Sequence, residues 1–443
     1  MNSAGEAALG RVLAAIDARS DEIIEFAAAL IRQPSVNPDL EPNDDAERPA
    51  QSWLRDRYQE SGAFDTVDYW EVASNRPNVV AVKKGRGGGR SLTWSAHTDV
   101  VPVTPEQADQ WSGAGPFSGE VRDGRLWGRG ASDMKGAIAA YSMAARILHD
   151  EGIRLQGDLL LSQACGEESG RRDIGCNTVL ERGYRSDLAI FPEPSNFRIY
   201  PTAKGELYFR LTVPGKSTHI CNRNLVAQAL PFGVERPGVS AIDNMLKYQI
   251  AFLELERQWY LWRTSPTVTS GGMYININTM QAGTSLTSIP DSADATGSLL
   301  FYPELTAAEV MDEIRETVDR VTASDYWLRD HPPILDLPLD ASSTAPWVKE
   351  PVNMPYDHPG VETIAAALRT VSGRDAAIET SPFVCDANFW FPLGQPSLIF
   401  GLGDPGWGIH GTNENLPVAD LIEATKLFAA ITIDWCGLAG SDQ

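Results

Sequence analysis

Long apolar runs, a leader-like amino terminus and closely spaced cysteine pairs are all missing from this sequence. No stretch approaches the ~18 uninterrupted apolar residues of a membrane-spanning helix, so we expect no such helix. The opening residues mix acids with bases, which is unlike a secretory leader. The five cysteines are scattered and include no CxxC pair, a usage typical of reduced thiols. These features predict a cytoplasmic protein whose cysteines hold no metal.

Positive charge is scarce as well. The 443 residues include 37 Lys and Arg against 59 Asp and Glu, which gives a formal net charge of −22. A surface this acidic repels nucleic-acid phosphates and anionic lipids, so neither nucleic acid nor a membrane is an expected partner. The excess acid either solvates the surface or is partly gathered to hold cations, and composition leaves both alternatives open.

Strands and helices alternate through the first part of the chain. Short apolar runs and helical spacing predict strands at 78–82, 91–95, 158–163 and 188–191 and helices at 46–61 and 135–148. Such alternation is typical of an α/β fold, here a mixed sheet flanked by helices. Near residue 200 the pattern becomes α+β, with a long helix at 241–262, and the α/β pattern later resumes. We therefore expect a discontinuous domain (1–199 and 326–443) that contains an inserted domain (200–325).

Five short motifs place acids or histidines at predicted strand ends or helix starts. Ligands of open α/β sheets gather at the carboxyl ends of strands. Taken singly, each motif has an ordinary explanation: the HxD pair by chance, Asp133 as a helix cap, the adjacent glutamates as solvated charge, and His410 as a loop residue. The candidates are His97 with Asp99, Asp133, Glu167 with Glu168, Glu193, and His410.

These residues share a chemistry that favours divalent cations. Two adjacent carboxylates at a strand end need a counter-cation or a raised pKa. Because adjacent side chains point differently, one of the two carboxylates could bind a metal while the other faces the substrate as a base. Carboxylate and imidazole ligands suit zinc, manganese or cobalt, and two such ions can act together in hydrolysis.

The order HTDVVP, GASDMKG, GEES, FPEP and IHGTNE resembles the dinuclear metallohydrolases that include acetylornithine deacetylase, succinyl-diaminopimelate desuccinylase, aminoacylase and glutamate carboxypeptidase. The resemblance covers nearly the whole chain and implies a metallopeptidase-like catalytic domain with an inserted lid and dimerisation domain. It also implies one or two divalent ions, a small-molecule substrate and a homodimer that forms through the inserted domain.

The resemblance further implies a role for each matched residue. Asp133 would be shared by two metal ions, His97 and Glu193 would complete one site, and Glu168 and His410 the other. Asp99 would orient His97. Glu167 would be the general base, and His219 of the inserted domain would stabilise the oxyanion.

Substrate recognition departs from the family pattern at two positions. Relatives that act on N-acyl amino acids carry an Asn and an Arg in the inserted domain, where this chain has Thr287 and Leu300. A leucine cannot make the bidentate carboxylate contact of an arginine. Ordinary core packing is the favoured explanation for several aromatic residues there, and the alternative is a pocket for a flat or apolar substrate.

Three hypotheses follow from these residues. The first is a metal-dependent hydrolase that cleaves an amide-type C–N bond and departs from standard N-acyl amino acid deacylases in its substrate. The second is a hydrolytic deaminase of an aromatic amine that uses the same metal centre. The third, a non-catalytic metal-binding or ligand-binding protein, is disfavoured because such a protein has no need of Glu167.

Overall fold

The structure is a computed structural model that describes residues 3–222, 238–268, 271–339 and 348–440. It divides into two compact units. The first comprises the residues up to Thr202 and those from Val352 onward, and the second runs from Ala203 to Pro351. None of the described helices is both long and apolar enough to cross a lipid bilayer.

The helices and strands are numbered here in chain order. The described helices are α1 (Ser3–Ala18), α2 (Ser20–Ile31), α3 (Arg48–Ser61), α4 (Pro105–Asp109), α5 (Gly136–Asp150), α6 (Cys176–Glu181), α7 (Ala241–Trp262), α8 (Ala307–Ser324), α9 (Pro359–Ser372), α10 (Ala387–Trp390) and α11 (Val418–Cys436). The described strands are β1 (Thr66–Ala73), β2 (Arg76–Lys83), β3 (Leu92–His97), β4 (Glu120–Arg122), β5 (Arg125–Trp127), β6 (Leu159–Ala164), β7 (Leu188–Phe191), β8 (Ile199–Ala203), β9 (Gly205–Pro214), β10 (Tyr274–Ala282), β11 (Ser292–Phe301), β12 (Ile334–Asp336), β13 (Val348–Lys349), β14 (Val352–Asn353), β15 (Ile378–Ser381), β16 (Ser397–Ile399) and β17 (Asn415–Pro417).

A nine-stranded mixed sheet forms the centre of the first unit. Its order is β1-β2-β6-β3-β7-β16-β8-β14, with β15 paired to β8. Strands β6, β3, β7 and β16 run parallel, whereas β2 is antiparallel to β6 and β8 is antiparallel to β16. The predicted α/β class with a mixed, helix-flanked sheet is confirmed.

The central strands are buried on both faces. All six side chains of β3 and all six of β6 are buried, and helices α5, α6 and α11 contact these strands. Burial on both faces explains why these strands show no alternation of apolar and charged residues in the sequence. β3 and β6 run in parallel, with His97 beside Ala164. The residues that follow both strands therefore emerge at the same end of the sheet, where the parallel strands have their carboxyl ends.

The second unit is an antiparallel sheet with two helices. The sheet has the order β10-β11-β9-β12, with β13 also paired to β9. Helices α7 and α8 contribute Tyr248, Phe252 and Ile314 to a core shared with Phe209 and Leu299 of the sheet. Helix α8 begins with a capping box in which Thr306 and Glu309 satisfy each other's main-chain N–H groups.

The division between the units lies later in the chain than the boundary predicted after residue 325. Strands β12 and β13 both pair with β9, Leu335 lying opposite Leu211 and Val348 opposite Leu207. Both strands are very short, so they carry too few residues for a period-2 pattern to be recognised in the sequence. The segment through Pro351 therefore completes the second unit.

Candidate metal centre

Four of the predicted site positions lie at the end of a strand of the central sheet or in the segment that follows one. His97 ends β3, Glu168 lies in a short turn after β6, Glu193 follows β7, and His410 lies in the loop between β16 and β17. Asp133 lies in the turn that precedes α5, with a non-helical backbone (φ −124°, ψ 93°). Helix α5 starts only at Gly136 with no side-chain cap, so the alternative of Asp133 as a helix cap does not apply.

Asp133 lies between the two histidines. Its Oδ1 atom is 3.2 Å from Nε2 of His97, and its Oδ2 atom is 3.3 Å from Nε2 of His410. Ligand atoms of His97, Asp133 and Glu168 all lie within 4.8 Å of one another. A carboxylate whose two oxygens face two different imidazoles can be shared by two cations.

A further carboxylate stands on each side of Asp133. Glu193 Oε2 is 3.8 Å from Nε2 of His97, and Glu168 Oε2 is 3.1 Å from Nε2 of His410. The structure therefore brings together all five predicted metal ligands as two carboxylate–imidazole pairs around a central carboxylate.

Burial and charge shift the pKa values throughout this cluster. Burial raises the pKa of Glu168 to about 8 and that of Glu193 to about 7, against the opposing effect of the nearby histidines. Hydrogen bonds to Asp133 and Glu168 raise the pKa of His410 to about 10. Burial opposes the ionisation of Asp133, but the two histidines hold the pKa of its carboxyl below the usual range. The three carboxylates therefore make the centre of this cluster a favourable place for a positive charge.

Asp99 supports the cluster by a contact that differs in detail from the prediction. Nδ1 of His97 bonds to the main-chain oxygen of Asp99 at 2.9 Å, while the nearer carboxylate oxygen is 3.8 Å away. The carboxylate accepts the main-chain N–H groups of Glu167 at 3.2 Å and Glu168 at 3.0 Å, and a 2.7 Å hydrogen bond from Asn37. Asp99 therefore fixes the backbone that presents the two adjacent glutamates.

Gly166 allows the chain to turn immediately before those glutamates. Its φ is +80°, in the left-handed region, and a Cβ atom would approach the Cβ of Arg171 to 2.9 Å. Glycine tolerates both constraints. The sharp turn after β6 brings Glu167 and Glu168 over the sheet edge.

Glu414 is a supporting residue that the sequence reasoning did not single out, although it lies in the IHGTNE motif. It is buried, its Oε1 atom accepts the N–H groups of Ser132 at 3.0 Å and Asp133 at 3.1 Å, and its Oε2 atom pairs with Arg129 at 2.9 Å. Its place in that motif, directly before the β17 segment, was the available signal. Its contacts fix the turn that carries Asp133.

A cavity of about 280 Å³ opens beside the cluster. Glu167 lines it together with the metal-ligand candidates, so this carboxylate is placed beside any molecule bound there. The rest of the wall is largely apolar, and none of the described residues that line it is a lysine or an arginine. The wall residues besides the acids and histidines are Pro194, Phe383, Val384, Cys385, Pro405 and Ile409.

His219, Thr287 and Leu300 belong to the second unit. His219 forms an isolated bridge with Ser288, and the N–H of the next residue, Ile220, bonds to the main-chain oxygen of Thr287 at 2.9 Å. His219 is exposed, and its Nδ1 lies 3.1 Å from Sγ of Cys221. Leu300 is buried in β11, between Glu206 of β9 and Tyr274 of β10. Thr287 and His219 are thus neighbours within this unit.

The donor set fits one or two divalent ions. Three carboxylates and two imidazoles converge. His97 and Glu193 are buried, Asp133 and Glu168 are half-buried, and His410 is exposed. Nitrogen and oxygen ligands of this kind suit zinc, manganese and cobalt. Hydrogen bonds to His97 and to the main chain of Asp133 and Glu168 supply the outer support that such ligands usually have.

The model of peptidase family M20/M25/M40 matches residues 93–434. N-formyl-4-amino-5-aminomethyl-2-methylpyrimidine deformylase of Halalkalibacterium halodurans is 30% identical over 96% of this chain and 97% of its own. Succinyl-diaminopimelate desuccinylase of Alkalilimnicola ehrlichii is 31% identical over 93% of this chain and 98% of its own. Among solved structures, human carnosine dipeptidase 1 has a TM-score of 0.69 at 17% identity and covers 97% of this chain and 98% of its own.

Proposed function

The chain belongs to peptidase family M20/M25/M40, whose members hydrolyse C–N bonds with metal ions, and from this premise we propose that it removes a formyl group from an amine carried on a flat heteroaromatic ring. The observation that carries the proposal is the cavity wall, where the described residues offer apolar side chains and include no lysine or arginine. A substrate with a free carboxylate is normally held by such a cation.

Two further observations support a small, flat substrate. A cavity of about 280 Å³ is at the low end of the ~300–1,000 Å³ range of ligand pockets, as one ring with short substituents requires. Phe383 and Ile409 line it, and side chains of this kind pack against ring faces. The deformylase of Halalkalibacterium halodurans acts, by its name, on a formylated aminomethylpyrimidine, and it is similar to this chain over almost its full length.

We assign the metal-holding roles as the sequence predicts them. Asp133 is shared, His97 and Glu193 complete one site, and Glu168 and His410 the other. Two divalent ions of the zinc, manganese or cobalt type would, when bound, lower the pKa of the attacking water and polarise the formyl carbonyl.

Glu167 is the proposed general base. Its carboxylate takes a proton from the attacking water while the water oxygen bonds to the formyl carbon, and it returns that proton to the nitrogen when the C–N bond breaks. Formate and the free amine are the products. Asp99 holds the main-chain N–H groups of Glu167 and Glu168, so it is a positioning residue. His219, from the second unit, would stabilise the oxyanion.

The deformylase proposal is tested by product analysis with metal-loaded protein. We expect formate from an N-formylated aminomethyl-aminopyrimidine at a kcat/KM at least about 100-fold above that for N-succinyl-diaminopimelate. Release of ammonia instead of formate would favour the aromatic deaminase, and faster release of succinate would overturn the proposed specificity. The absence of turnover on all three classes with a full metal complement would favour a binding protein.

We also propose a homodimer that forms through the second unit. Helix α7 exposes an apolar stripe, with Ile250 65% and Leu253 54% exposed. Strand β10 lies at one edge of its sheet, and among the described strands it pairs only with β11. Open strand edges are sites at which further chains pair. A second copy of the chain would cover both the α7 stripe and the β10 edge. We also propose the cytoplasmic location that the sequence predicts.

A further inference from the structure

A second cavity, of about 300 Å³, lies at the opposite end of the strands of the central sheet from the metal-ligand cluster. Lys83, which lines it, ends β2 and pairs with Leu159, the first residue of β6. The last residue of β6, Ala164, lies beside His97. Five residues of strand separate these ends, which is about 17 Å at the rise of a β-strand. The two cavities share no lining residue.

Five of the eleven residues that line this second cavity are lysine, arginine or histidine. Among the described residues that line it, Asp65 is the one acid. The chain has a formal charge of −22. This group of cations therefore makes the electrostatic potential at the cavity more positive than over the rest of the surface. The lining residues that carry or can carry positive charge are Lys83, Lys84, Arg86, His149 and Arg154.

Lys83 is a buried cation without a carboxylate partner in the described part of the chain. Its residue is 8% exposed, and its Nζ atom lies 3.3 Å from the main-chain oxygen of Ala63 and 3.3 Å from Nδ1 of His149. Burial lowers the pKa of its ammonium group. A desolvated charge of this kind is costly unless a counter-charge approaches it.

The acids near Lys83 make their close contacts with other groups, and Asp65 and Asp150 favour its charged form only from beyond ion-pair distance. Asp150 pairs with Arg19 at 2.7 Å. Asp65 accepts the main-chain N–H of Lys84 at 2.7 Å, and Asp158 pairs with the Lys84 ammonium at 2.7 Å. None of the three lies within ion-pair distance of the Lys83 ammonium group.

Arg154 supplies a second cation at the cavity. Its side chain is exposed, and within the described ranges it has no recorded side-chain hydrogen bond or ion pair. A guanidinium group offers a planar fork of donors that matches phosphate or carboxylate oxygens, and an ammonium group adds a compact charge. Lys83 and Arg154 therefore provide complementary donors at one cavity.

We propose that this cavity binds a small phosphate-class dianion, either free phosphate or the phosphate group of a small metabolite, through Lys83 and Arg154. The bound anion supplies the counter-charge that the buried ammonium lacks, and the cavity has room for a phosphate and a short substituent. The proposal does not depend on the reaction at the metal cluster, because the two cavities lie at opposite strand ends.

The test is a ³¹P NMR titration of the full chain with inorganic phosphate at low salt, in metal-loaded and chelator-treated forms. We expect saturable binding that survives chelation, since phosphate held by metal ions would be lost. Arg154→Gln, an exposed substitution that leaves the core intact, and Lys83→Met should each weaken binding at least about tenfold. Lys84→Gln, which changes an ion-paired lysine of the same cavity, is the matched control and should stay within about twofold.

Two results would overturn the proposal. One is the absence of saturable phosphate binding after chelation. The other is equal weakening by Lys84→Gln and Arg154→Gln, because that would indicate general attraction to a basic surface. A phosphate monoester that binds more tightly than inorganic phosphate, with the same dependence on Arg154, would identify a metabolite as the source of the anion.

Discussion

Glu414 accepts the main-chain N–H of Asp133 at 3.1 Å, so a buried carboxylate near the end of the chain fixes the residue that lies between the two histidines. The same carboxylate pairs with Arg129 at 2.9 Å. Glu414 touches none of the predicted ligand side chains in these contacts. It is a positioning residue whose effect passes through the backbone of the Asp133 turn.

Substitution Glu414→Ala should lower both stability and metal occupancy. Removing one partner of a buried ion pair costs about 3–5 kcal/mol, and loss of an outer support typically lowers metal affinity 10–100-fold. Metal titration at matched folded fraction separates the two effects. An unchanged metal affinity would show that Glu414 only stabilises the fold, and Glu362→Ala, an exposed substitution on α9, is the control.

Substitution Glu167→Gln should abolish most turnover while the metal content stays unchanged. The amide cannot accept the proton of the attacking water, and loss of a general base typically costs about 10²–10⁴-fold in rate. Elemental analysis and formate release measured on the same sample check both expectations. Glu168→Gln is the matched control in the adjacent position, and it should lose metal as well as activity.

The shared position of Asp133 predicts an unequal effect on metal stoichiometry. Asp133→Asn weakens both sites because each of its oxygens faces one histidine, whereas His410→Asn removes a ligand from one site only. We expect near-complete loss of bound metal in the first variant and about half the wild-type content in the second. Equal losses in both would contradict a two-site arrangement.

Lys83 should make the free energy of unfolding depend on pH in the alkaline range. Burial lowers its folded pKa below the usual value, so between that folded pKa and about 10.5 the unfolded chain binds more protons than the folded chain. Stability contributed by this group therefore rises with pH across that window. Urea midpoints from about pH 8 to 10.5 should rise more in the wild type than in Lys83→Met, while Lys84→Gln should follow the wild type.

The proposed dimer predicts that a charge on the α7 stripe separates the subunits. Ile250→Glu places a carboxylate on the exposed apolar face and should yield a monomer by light scattering. Val72→Glu is the matched control, since Val72 is also an exposed apolar residue, 54% exposed, but lies on β1 of the first unit. A monomeric wild type would contradict the proposal.

Much of the fold and the cluster could be predicted because local chemistry determines them. The long helix at 241–262 and the strand at 188–191 were predicted with the bounds that the structure shows, since burial fixes their apolar patterns. The strand-end motifs came together because parallel strands bring their carboxyl ends to one edge. Strand β1 was missed because its side chains are all exposed or half-buried, which leaves no continuous apolar run. The contacts of Glu414 and Asp99 with main-chain N–H groups join distant segments and leave no local pattern.

The insertion of the second unit between the two parts of the first has a consequence for synthesis on the ribosome. Strand β16 lies between β7 and β8 in the central sheet, so that sheet has a gap until the chain has emerged beyond Ile399. The second unit is continuous from Ala203 to Pro351 and is complete well before then. Domains generally fold as units during translation. We therefore expect the second unit to fold on the nascent chain before β16 is available to complete the central sheet of the first unit.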